Sequence, residues 1–141
     1  MAVILLEAPR TFTKNETQST SVAPRVDDLM APTIYLRVSG GTLSAGSVVF
    51  DFEVAPLLRF VDESGRFATF GGQFKITLNS PLPATPFTLF TPTALNLSAG
   101  LLRWKVTFTG TGASDFVEAD LYLVGLRFGG NGRLALPPRE P

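Results

Sequence analysis

Leu101-Leu102-Arg103-Trp104-Lys105-Val106-Thr107-Phe108-Thr109-Gly110 alternates side by side for eight residues before a glycine stops it. Extended, this segment puts Leu102, Trp104, Val106 and Phe108 on one face and Arg103, Lys105, Thr107 and Thr109 on the other. That period of two is the mark of a half-buried β-strand, because successive side chains of a strand point to opposite sides. Working outward, the pattern recurs. Ile34, Leu36 and Val38 alternate with Tyr35, Arg37 and Ser39. Val48, Phe50, Phe52 and Val54 alternate with Val49, Asp51 and Glu53, and Phe74, Ile76 and Leu78 with Lys75, Thr77 and Asn79.

No stretch keeps a helical period, and 13 glycines and 11 prolines interrupt the chain too often for a long helix. Glycine-containing turns at residues 40–46, 64–65, 71–72, 98–100 and 110–112 separate the alternating runs. Short strands punctuated in this way predict an all-β fold, an antiparallel two-sheet β-sandwich of jelly-roll-like or Ig-like type. Pro81, Pro83 and Pro86 predict a rigid crossing loop where the chain changes sheets, and residues 55–61 at most a helical turn.

Pairing can be carried further. A hairpin closing on residues 111–114 sets Phe108 opposite Val117, Val106 opposite Ala119, Trp104 opposite Leu121 and Leu102 opposite Leu123, with Lys105 facing Asp120. Pairing Val38 with Val48 similarly sets Leu36 on Phe50 and Ile34 on Phe52. The seven-residue link 40–46 is long for a hairpin and is also compatible with a crossing between sheets.

The ends read differently. Residues 1–30 are expected to form an N-terminal arm and polar edge strand, residues 31–128 the sandwich, and residues 129–141 an extended tail. Val3, Ile4, Leu5 and Leu6 form an apolar start cut off by Glu7, too short and without the basic lead of a signal peptide. Arg133, Leu134, Leu136 and Arg139 lie in a Pro-rich tail with too little apolar area to fold alone.

The 141 residues include no histidine and no cysteine, the usual carriers of neutral-pH proton transfer, thiol nucleophilicity and transition-metal ligation. Serine and threonine therefore have no imidazole base. The acid pairs Asp51/Glu53 and Glu118/Asp120 fall on the wet faces of strands, where surface ion pairing is the expected role. Asp27/Asp28 lie in the lead to the first alternating strand, and Asp62/Glu63 in a turn. No catalytic, cofactor-binding or metal-binding residue is expected. Twelve basic and twelve acidic residues give a net charge of zero, which argues against nucleic acid as a partner; no segment predicts a membrane span. Outward Tyr35, Phe116 and Tyr122, with Val49 and Val124, predict a subunit contact more readily than a sugar-stacking platform.

The segments 33–38, 47–53 and 101–110, within residues 32–126, resemble small β-sandwich structural proteins of tailed bacteriophages. In those proteins a threonine-rich lead precedes the first strand, and Arg and Trp stand side by side on a late one. The resemblance implies a virion component, a capsid decoration (cement) protein above all. Its implied partners are the major capsid protein or other virion proteins and its own copies, with a trimer favoured. Tail, baseplate and head–tail joining proteins share the composition, and a carbohydrate-binding host-recognition module is the alternative of a different class. Val3, Ile4, Leu5, Leu6, Tyr35, Phe116, Tyr122, Arg133, Leu134, Leu136 and Arg139 are the expected partner contacts.

Overall fold

A computed structural model of the chain describes residues 2–19, 23–26, 29–56, 72–91 and 100–127. Among the described residues there are eight strands: β1 (Ala2–Phe12), β2 (Glu16–Thr17), β3 (Leu29–Thr42), β4 (Ser47–Pro56), β5 (Gly72–Asn79), β6 (Phe87–Phe90), β7 (Gly100–Thr109) and β8 (Phe116–Arg127). They form two antiparallel four-stranded sheets, ordered β1-β8-β3-β6 and β2-β7-β4-β5. The pairs β1 with β8, β2 with β7, β3 with β6 and β4 with β5 are those of a long ribbon folded back at its middle. Winding that ribbon adds β3 beside β8 and β4 beside β7. This is the jelly-roll form of the two-sheet sandwich. Among the described residues no helix is long and apolar enough to cross a membrane.

The alternation read from the sequence places side chains correctly. Ile34, Leu36, Val38, Val48, Phe50, Phe52, Val54, Ile76, Leu78, Leu102, Trp104 and Val106 are buried, and Phe74 and Phe108 pack against them. The expected pairings do not hold. β7 and β8 lie in different sheets, so residues 110–115 cross the sandwich instead of turning a hairpin. Trp104 pairs with Phe52 and Lys105 with Asp51, while Asp120 pairs with Arg37. β3 and β4 are likewise in different sheets, so link 40–46 takes the crossing route. Both errors have one cause: period two fixes which face a residue takes, not which strand lies beside it.

The apolar start is not an arm over its described length. Val3 pairs with Val124, Leu5 with Tyr122 and Phe12 with Val117, so residues 2–12 form an edge strand of the body's own sheet. A register shift between Leu5 and Glu7 is a bulge. It turns Leu6 into the core and lets Glu7 accept a hydrogen bond from Trp104 Nε1 at 3.1 Å. The polar edge strand expected after it is present as β2. Ala55 and Pro56 end β4, where a helical turn was expected; residues 57–61 of that turn lie outside the described residues. The Pro81–Pro86 loop does carry the chain from one sheet to the other, between β5 and β6.

Three devices lock the layers together. Phe12 of one sheet meets Phe50 and Trp104 of the other edge-on, with ring centroids 5.2 and 5.5 Å apart; such contacts add roughly 0.5–1.5 kcal/mol each beyond burial. Buried Gln18 donates to the Leu6 carbonyl and accepts from the Trp104 amide, each at 3.1 Å, so one side chain ties β1 to β7. Arg10 pairs with Glu16 at 2.6 Å and covers the Phe12 ring at 4.7 Å.

At one end of the sandwich Asp115 clips two crossings to each other. Its carboxylate accepts from the Ser44 hydroxyl at 2.9 and 3.0 Å and from the Gly112 amide at 2.7 Å. Burial pushes this carboxyl up, but the Gly112 amide, the Ser44 amide and hydroxyl and the Ala45 amide outweigh it, leaving it below its ordinary range. A group depressed in the folded state adds stability above its unfolded pKa and loses it as pH falls through the folded value. The clip therefore weakens from about pH 4 downward. In urea titrations at pH 7 and pH 3, Asp115→Asn should lose stability at pH 7 and show a smaller acid drop than the parent. Equal acid drops in both would remove Asp115 as a source of the pH dependence.

Candidate functional site

The two outer faces of the sandwich are unlike. On the β2-β7-β4-β5 side the outward residues are Thr17, Arg103, Lys105, Asp51, Glu53, Lys75 and Thr77, with Val49 flanked in register by Thr77 and Thr107. Arg103 and Glu53 pair at 2.8 Å. Asp51 is in register with Lys75 and Lys105, and its Oδ1 is buried without a hydrogen-bond partner. This is a polar, ion-paired surface.

The β1-β8-β3-β6 side is the opposite. Among the described residues the exposed large apolar side chains are Val3, Leu5, Met30, Phe90 and Leu126, at 67, 59, 43, 57 and 49% exposure. All five fall on this one face. Register explains how strands distant in sequence collect them. One row across the sheet reads Leu5, Tyr122, Tyr35, Phe90, since Leu5 pairs with Tyr122, Tyr122 with Tyr35, and Tyr35 with Phe90. The next row reads Val3, Val124, Thr33, and beyond a bulge Met30 pairs with Leu126. A shallow depression of about 290 Å³ opens between Ala31, Tyr35 and Val124. Isolated exposed apolar residues are ordinary; a contiguous set on one sheet face marks a contact surface.

Toward the other end the face turns polar. Arg37 holds Asp120 bidentately at 3.0 and 2.8 Å, and the Ser39 hydroxyl donates to the Glu118 carbonyl at 3.2 Å. The Asp120 carboxylate hydrogen-bonded to Arg37 raises the guanidinium further above its usual value, so Arg37 stays charged. Acid pairs are thus spread over ion-paired strand faces, and Asp27, Asp28, Asp62 and Glu63 lie outside the described residues.

No family model, curated protein or solved structure matches the chain.

Of the expected contact residues, Val3, Leu5, Tyr35 and Tyr122 come together on the apolar face. Ile4 and Leu6 point the other way, Ile4 packed against the core and Leu6 buried within it. Phe116 is outward and half-buried but six residues along β8 from Tyr122, roughly 20 Å away in the polar half. Arg133, Leu134, Leu136 and Arg139 lie outside the described residues. Met30, Phe90 and Leu126 were missed. The signal for Leu126 was present, four residues on from Tyr122 and two from Val124 on the same face; Phe90 belongs to a four-residue strand with no visible period.

Tyr35 and Tyr122 stack in parallel, with centroids 5.2 Å apart and planes inclined by 7°. Parallel rings at that separation form an offset stack. Each ring turns part of one π-face toward the other, which counts against the pair as an open platform for a sugar.

Proposed function

We propose that this chain is a non-catalytic structural protein of a phage virion, a capsid decoration protein that reinforces a shell through contacts between subunits. The observation that carries the reading is the gathering of exposed apolar side chains on one sheet face, opposite a polar, charged face. A protein that lived alone at high concentration would not keep such a surface, least of all at zero net charge. The jelly roll adds support by analogy, since viral shell proteins and lectins are both built on it. The stack of Tyr35 and Tyr122 favours the structural reading over the lectin-like one.

The test is location. Particles from cells carrying a tagged copy are purified on a density gradient and labelled with gold for electron microscopy. Label distributed over the shell supports decoration. Label confined to the tail or neck replaces it with a tail or joining role, and unlabelled particles end the virion reading.

A further inference from the structure

The apolar face has a symmetry that points to its occupant. Its central row, Leu5-Tyr122-Tyr35-Phe90, reads apolar–Tyr–Tyr–apolar, mirrored about the boundary between β8 and β3. Arg37 and Asp120 stand one step along the strands, on opposite sides of that same boundary. We infer that this face binds a second copy of the chain, across a two-fold axis running along the strands between β8 and β3. The inference rests on the face being a contact surface, as read above, and names what fills it.

Such an axis exchanges β8 with β3 and β1 with β6 across the interface while keeping each row at its own level. Tyr122 of one copy then faces Tyr35 of the other, and Leu5 faces Phe90. Arg37 faces Asp120 of the second copy, and the bonded Arg37–Asp120 pair, neutral in itself, brings no net charge to its own image at the axis. Arg37 has the means: its side chain is 56% exposed beyond its bond to Asp120, and a guanidinium carries five donors. Aligned sheets pack with a rotation of roughly 30°, so contacts near the axis keep the closest match and those on β1 and β6 a looser one.

Area sets the strength. Four strands spaced about 4.8 Å, with up to three outward residues on the longer ones and two on β6, give a face of at most roughly 400 Å² per copy, below the 800 Å² of a standard interface. The pair is therefore concentration-dependent, with a dissociation constant on the order of 10–100 µM. It would be a dimer, not the trimer that the phage resemblance implies.

Sedimentation equilibrium of the full chain from 5 to about 300 µM tests this. The parent should move from monomer to dimer across that range. Leu5→Glu and Phe90→Lys, both at exposed positions, should each stay monomeric, with the dissociation constant raised beyond the range measured and circular dichroism unchanged. Because residue 5 of one copy faces residue 90 of the other, mixing the two variants should restore a dimer that neither makes alone. A parent that stays monomeric, a dimer indifferent to both substitutions, or an unreactive mixture would each overturn the proposal. A monomeric parent that still labels the shell removes only the dimer; a dimer missing from particles removes only the virion assignment.

Discussion

Replacing Trp104 with alanine lowers the unfolding free energy by about 3–5 kcal/mol, at the high end for one side chain, because the site cannot close over the space left behind. Trp104 is 2% exposed and sits where three strands converge. Phe12 from the opposite layer packs on it edge-on at 5.5 Å, Phe52 pairs with it across the sheet, and Glu7 takes its indole N–H. Alanine also leaves the Glu7 carboxylate short of a donor beside the core. Urea unfolding followed by far-ultraviolet circular dichroism measures the loss; Trp104→Phe, which keeps the ring packing but not the N–H, should lose less. A loss under 1 kcal/mol for the alanine variant would mean that the two layers do not depend on this contact.

Gly46→Ala is expected to cost about 3 kcal/mol, for a reason unconnected with apolar burial. Gly46 has a φ of +72°, and a Cβ there would collide with the Thr109 carbonyl oxygen. Its own carbonyl accepts from the Ser80 amide at 3.1 Å. Three crossings of the sandwich, 43–46, 110–115 and 80–86, thus meet backbone to backbone at one end. Gly110 supplies the control. Its φ is +67°, yet a Cβ would lie 3.6 Å from the nearest atom, in ordinary contact. Gly110→Ala should cost only the left-handed strain, about 1 kcal/mol. Thermal or urea unfolding of the pair separates collision from conformational strain; equal losses would show that close approach of the crossings contributes nothing.

What could be read from the sequence, and what could not, divides along a physical line. Alternation is local, so the buried faces of β3, β4, β5 and β7 were legible from Ile34 to Val106. Pairing is not local. Lys105 has acids available at Asp51 and at Asp120, and nothing within residues 101–127 says that Arg37 already holds the second. Glycine links that suit hairpins suit crossings equally well, so residues 40–46 and 110–115 did not reveal which they were. β1 could be read only as a strand or a docked arm, with no place in a sheet, for a related reason: both of its faces are apolar, one meeting the core and one the outer patch, and the bulge at Leu6 breaks its period. The contact face was half legible. Tyr35 and Tyr122 could be placed outward, but the row they share with Leu5 and Phe90 exists only once four separate strands are aligned.

The place of β8 between β1 and β3 has a further consequence, for the order of events during synthesis. Residues 2–12 and 29–42 leave the ribosome early, yet the template that joins them is residues 116–127. Until that late segment emerges, Val3 and Leu5 have no neighbouring backbone to zip against and β3 has only the four-residue β6 beside it, while β4 and β5 can already hydrogen-bond to each other. Nascent chains stalled before residue 116 should be sticky and protease-sensitive, and those released just after residue 127 should not, making the last strand the gatekeeper of solubility in the cell.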